Sequence, residues 1–149
     1  MGRMYTIPMD AVSVSVAKDL MRISVATNKI AILHEVVVTQ DQSEVSEQLP
    51  FQLHRASTDG TGTAVIPEKL DPGDAAFSGT AAVNLTVDTT ISGLLLHRES
   101  QNVLNGWTFT PTPEGRIVIP GGGRIVIRLD AAPAAALPMS ISALIEEIG

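Results

Sequence analysis

From Val12 to Val16 the chain reads VSVSV, and this strict alternation constrains the fold more than any other feature. Side chains two apart share a face in an extended strand; a helix scatters the same valines around its axis. The signal recurs along the chain. Phe51-Gln-Leu-His-Arg55 alternates, residues 30–39 form a long β-branched run, and 22–25, 81–86, 94–99, 106–110, 116–119, 124–130 and 138–146 read as further strands. The closing ISALIEEI has a helical look, but Met139, Ile141 and Ala143 fall on one side of an extended segment, so it is read as a strand. Residues 17–21 are open to one helical turn, and the Asn28-Lys29 pair marks a turn.

No long segment holds a 3.6-residue period. About nine or ten short strands separated by Gly/Pro turns predict an all-β, antiparallel β-sandwich, with a jelly roll as the preferred topology. At 149 residues the chain has the length of one domain, expected over 1–149. Hydrophobic residues make up 44% but aromatics only 3%, so the core must be built from Val, Ile, Leu and Ala.

The word RIVI occurs twice in residues 116–127, split by Pro-Gly-Gly-Gly. A phosphate loop needs its last glycine followed by Lys, then Ser or Thr, and then a helix. Here Arg124 and a strand follow, so the dinucleotide fingerprint fails as well. The expected structure is a hairpin. Ile117 and Ile119 face the same core as Ile125, Ile127 and Leu129; Pro120 ends the first strand and the glycines make the turn.

The net charge of −6 argues against a nucleic-acid surface. There is no cysteine, which removes disulfides, thiolate metal sites and a cysteine nucleophile. No apolar run reaches the ~18 residues of a membrane span, and the N-terminus has no signal-peptide core; the expectation is a soluble intracellular product. His34, His54 and His97 lie in separate expected strands, at spacings that fit no compact metal-ligand motif. No serine sits in a nucleophile elbow. The carboxylates Asp41, Glu44, Glu47, Asp71 and Asp74 read as solvated loop charges, and nothing selects a catalytic pair. Asp59-Gly-Thr-Gly-Thr63 lacks the ligand spacing of a calcium loop. Asn84-Leu-Thr86 fits a glycosylation sequon but has no secretion signal to give it meaning. No cofactor, metal or catalytic residue is expected.

Two stretches are candidates for contact with partners. Residues 57–80, dense in Gly, Pro, Asp and Thr, read as one long loop without regular structure, and such loops are usually functional or interface-forming. Within it Val65, Ile66, Leu70 and Phe77 are apolar: they either grip a neighbour or fold back as a lid over the core. Trp107, the only tryptophan, shares a strand face with Phe109, and is read first as core and second as a contact for a sugar or a protein. The alanine-rich stretch 131–138 is either an ordinary Pro-bounded connection or a surface against a neighbouring chain.

The chain resembles a family of small phage and prophage virion structural proteins. The resemblance rests on YTIPMDAVSVSVAKDLMRISV, IAILHEVVVTQ, LDPGDAAFSGTA, TISGLLLHRESQNVLNGW and, above all, PTPEGRIVIPGGGRIVIRLDAAPAAALPMSISALIEEIG. It implies a non-enzymatic β-sandwich virion component, foremost a capsid decoration or cement protein that binds the assembled head. The implied partners are the major capsid protein or another virion protein, and further copies of the chain as a homotrimer. The alternatives are a carbohydrate- or receptor-binding module of a head fibre or tail, and an enzyme with a trimeric jelly-roll body of the dUTPase type, whose substrate motifs are missing here.

Overall fold

Twelve strands form among residues 2–41 and 46–149, the part of the chain described by this computed structural model. They are β1 (Arg3–Val14), β2 (Lys18–Ser24), β3 (Ile30–Gln40), β4 (Gln48–Ala56), β5 (Thr61–Val65), β6 (Glu68–Lys69), β7 (Thr80–Val87), β8 (Ile91–Asn102), β9 (Trp107–Phe109), β10 (Ile117–Ile119), β11 (Arg124–Leu129) and β12 (Leu137–Ile148). Helix is confined to one 3-10 turn at Pro113–Gly115. All pairings are antiparallel, and two sheets pack face to face as the alternation predicts. Sheet I runs β10-β3-β12-β1-β6, with β9 also on β3; sheet II runs β5-β7-β2-β11-β4-β8.

The core is the space between the sheets. Tyr5, Ile7 and Met9 of β1 point into it; Thr6, Pro8 and Asp10 do not. A bulge then separates Met9 from Val12, with Ala11 at φ 45°, and the extra residue changes the parity, so that Val14 is buried. The alternation that opened the reading therefore belongs to a strand that starts at Arg3, and Val16 lies beyond its end, exposed. In sheet II the inward register pairs Met21 with Ile127 and Ile23 with Ile125. The helical option at 17–21 is excluded, because β2 already begins at Lys18.

Two expectations are corrected. The RIVI repeat is not a hairpin. Its first copy, β10, pairs with β3 in sheet I, and its second, β11, pairs with β2 and β4 in sheet II. The Pro-Gly-Gly-Gly segment is a turn, but it arches from one sheet to the other. Gly122 sits at φ +73°, and a Cβ on Gly121 would lie 2.3 Å from the Thr27 carbonyl oxygen, so a larger residue has no room. Ile117, Ile119, Ile125 and Ile127 do face one core, from opposite walls. Nor is 57–80 a structureless loop. It supplies β5, an edge strand of sheet II on β7, and β6, an edge strand of sheet I on β1. The expected loop carboxylate Glu44 lies outside the described residues.

Candidate functional site

The five aromatic residues gather in two clusters, one on each long side of the sandwich. On the side closed by 57–80, Tyr5 and Phe77 meet edge to face at 5.3 Å. Tyr5 donates its hydroxyl proton to the Ala75 carbonyl at 2.9 Å, and burial followed by the nearby Glu147 charge raises its pKa. Glu147 is buried; its Oε2 accepts hydrogen bonds from the backbone N–H of Ser78, at 3.0 Å, and from the Ser78 hydroxyl. Its Oε1 lies 3.7 Å from Arg3 and accepts no hydrogen bond. These contacts strap residues 74–79 across the sandwich.

On the other side Phe51 and Trp107 stack at 5.4 Å, nearly parallel, with Phe109 and His97 alongside. The Trp107 indole N–H donates to Glu99 at 3.2 Å. Burial opposes charge on Glu99, but hydrogen bonds from Gln101, Trp107 and His97 outweigh it and lower the pKa.

The outer face of sheet II carries the polar networks. Asp19, 0% exposed, accepts hydrogen bonds from Arg128 at 2.6 Å and from the N–H and hydroxyl of Thr89 at 2.6 and 2.7 Å. Asp59 accepts from Arg124 at 2.6 Å and Ser24 at 2.7 Å. The Arg124 hydrogen bond is the chief reason that its carboxyl falls to about 2, against some opposition from burial. The networks pin the segments around Asp59 and Thr89 over the sheet and leave Val126 fully buried on the outer side.

The three histidines do not converge. His34 pairs with Glu146 at 2.9 Å, His54 with Gln52 at 2.6 Å and His97 with Glu99 at 3.4 Å. Among the described residues no group of three or more His, Cys, Asp or Glu is placed to hold a metal ion.

The contact candidates separate by burial. Trp107, 1% exposed, and Phe77, 9% exposed, are core residues, in line with the first reading of Trp107 and with the lid reading of Phe77. Val65 packs partly against the core. Ile66 and Leu70 stand out at 77% and 57% exposed. Ile66 lines a groove of about 280 Å³ together with Ala64, Val65, Pro67, Phe77 and Ala81. A wider cleft of about 470 Å³ lies between Arg3 and Leu70, with the carboxylates of Asp71 and Asp74 on its wall.

The surface that sequence reasoning missed is in β8. Leu53 pairs with His97 and Arg55 with Ser92, so four residues, 93–96, bulge out opposite the single residue His54. Gly93 sits at φ +77° with open space where a Cβ would be. The bulge raises Leu94 to 90% exposure, with Leu95 and Leu96 beside it, also exposed. The signal was present as three consecutive leucines in the strand expected at 94–99, where a half-buried strand should alternate. No known protein family, curated protein or solved structure matches this chain.

Proposed function

We infer that this chain is a non-enzymatic structural protein of a virion, a decoration or cement protein that binds an assembled head as a homotrimer and stabilises it. The setting comes from the sequence resemblance. The observation that carries the mode of action is the exposure of large apolar side chains at both edges of one sheet: Leu94 to Leu96 on β8, and Ile66 by β5. A monomer gains nothing by holding these in water, whereas repeated weak contacts over a shell add up to tight binding. The partner is the major capsid protein or another virion protein.

Co-sedimentation tests the reading. The purified chain, mixed with undecorated shells, is expected to pellet at a saturable ratio and to raise the melting temperature of the shell. A chain that stays in the supernatant at every concentration overturns it.

A second reading, a carbohydrate-binding module of a head fibre or tail, draws on the partly exposed rings of His97 and Phe109 beside the Glu99 carboxylate. It no longer has Trp107 as a platform. Titration with host surface glycans tests it, with saturable heat as the supporting result and no heat as the opposing one.

A further inference from the structure

We propose that Asn105 is a site of spontaneous deamidation, at which the exposed turn between β8 and β9 converts an amide into a carboxylate with water as the only co-reactant. The conversion needs no partner, so it stands apart from the decoration role.

The backbone nitrogen of Gly106 attacks Cγ of the Asn105 side chain. A C–N bond forms and closes a succinimide ring. The bond from Cγ to the side-chain nitrogen breaks, and that nitrogen leaves as ammonia with the proton given up by Gly106. Water then adds to one of the ring carbonyls and breaks its bond to the ring nitrogen. Opening at the side-chain carbonyl gives aspartate; opening at the main-chain carbonyl gives isoaspartate, in which the main chain runs through the side-chain carbon. Either product carries one new carboxylate, which takes the net charge from −6 to −7. The change enters directly before the buried Trp107.

The attack needs a following residue that leaves its nitrogen uncrowded, a side chain free to turn, and a nitrogen not engaged in a hydrogen bond. The chain has four asparagines, and Asn105 alone meets all of these demands. Asn28, Asn84 and Asn102 precede Lys29, Leu85 and Val103, whose Cβ atoms crowd the ring; Gly106 has none. The side chains of Asn84 and Asn102 are also held, by Lys18 at 2.6 Å and by Ser46 at 2.5 Å, and Asn102 accepts from the Leu104 N–H as well. Asn105 is exposed, and its amide has no partner among the described residues. In the same turn the N–H groups of Val103 and Asn105 donate to the carbonyls of Glu47 and Asn102, both at 2.9 Å. The Gly106 N–H has no backbone acceptor among the described residues.

Asp59-Gly60 is the acidic counterpart, open by sequence to the same ring closure, and there the fold opposes it. Arg124 at 2.6 Å and Ser24 at 2.7 Å hold the Asp59 carboxylate, and the Arg124 hydrogen bond keeps its pKa at about 2. An ionised carboxylate repels the incoming nitrogen and offers no neutral leaving group.

The test keeps the folded chain at mildly basic pH, which helps the Gly106 nitrogen to lose its proton. Ion-exchange chromatography and peptide mapping with isoaspartate detection follow the products. The controls are Asn105→Gln, whose longer side chain closes a ring far more slowly, and the wild type unfolded in guanidinium chloride. Aspartate and isoaspartate are both expected at position 105 of the folded chain. Their rate should lie within about tenfold of the unfolded chain, since an exposed turn opens at little cost. Asn28, Asn84 and Asn102 should keep their amides, and Asn105→Gln should form no acidic species. The proposal is overturned if Asn105 stays an amide in the folded chain over the time in which the unfolded chain is converted. Acidic species that persist in Asn105→Gln also overturn it, as does aspartate without isoaspartate, the mark of direct hydrolysis.

Discussion

The two long sides of the sandwich are closed in different ways. On one side residues 57–80 cross from sheet II to sheet I, adding β5 to one edge and β6 to the other, and drive Phe77 against Tyr5 between them. On the opposite side β8 ends sheet II over β9 and β10 of sheet I, with Phe51 and Trp107 stacked underneath, and its leucine bulge stands in water. A stretch with the composition of a gripping loop therefore serves mainly to cover edges. A stretch with the composition of an ordinary strand offers the most exposed apolar surface. Polar composition marks where the backbone turns; it does not say whether that backbone is spare or is part of the sheet.

The comparison is broken most directly by removing the closed side. Replacing residues 59–76 with a short Gly-Ser linker strips both edge strands and the Asp59 ion pairs, and is expected to cost at least about 4 kcal/mol in urea unfolding, a large part of the stability of a typical domain. A native-like midpoint would show that the segment is a spare loop after all. Phe77→Ala empties the wedge alone and is expected to cost about 3 kcal/mol, the range for a buried phenylalanine. A loss near zero in thermal unfolding would mean that Tyr5 closes this side unaided.

Asp59→Asn loosens the anchor at the start of the segment, and about 0.5–1 kcal/mol is expected, as for other partly exposed ion pairs. The sign with pH follows from the depressed carboxyl, at about 2 folded against an ordinary 3.8. The contribution is complete above about pH 4 and is lost as pH falls from 3.8 toward 2, so wild-type and variant stabilities should converge over that window. Parallel curves down to pH 2 would show that the carboxylate charge does not hold the anchor. The smallest effect belongs to the open side. Leu94→Glu, measured on dilute monomer, is expected to change unfolding stability by less than about 0.5 kcal/mol, as for surface positions without special contacts. A loss comparable to that of Phe77→Ala would show that the bulge belongs to the core.

Much of the fold was legible residue by residue. Ile125, Ile127 and Leu129 are buried as the period-2 pattern predicts, and Met139, Ile141 and Ala143 mark β12 as a strand despite its helical look. The candidate surface was only half legible. Ile66 and Leu70 are exposed as apolar loop residues, but Phe77 and Trp107 are enclosed, and the three leucines of β8 read in sequence as part of an ordinary strand. A strand's pattern states which face is apolar. It does not state how many neighbouring strands it will have, or where a bulge will lift side chains out of register.

The sequence by itself determined the class of the fold and its lack of helix, because side-chain alternation and Gly/Pro turns are local and survive in any arrangement of strands. Only the tertiary structure decided which strands are neighbours. The RIVI repeat shows why: a hairpin within one sheet and an arch between two sheets both bury the same isoleucines, so the pattern is identical and the choice rests on partners far away in the chain. β10 goes to β3 and β11 to β2 and β4, and the glycine turn fits only against Thr27. The same non-local pairing makes β8 and β5 the outer edges of sheet II, and so decides which apolar side chains are left exposed.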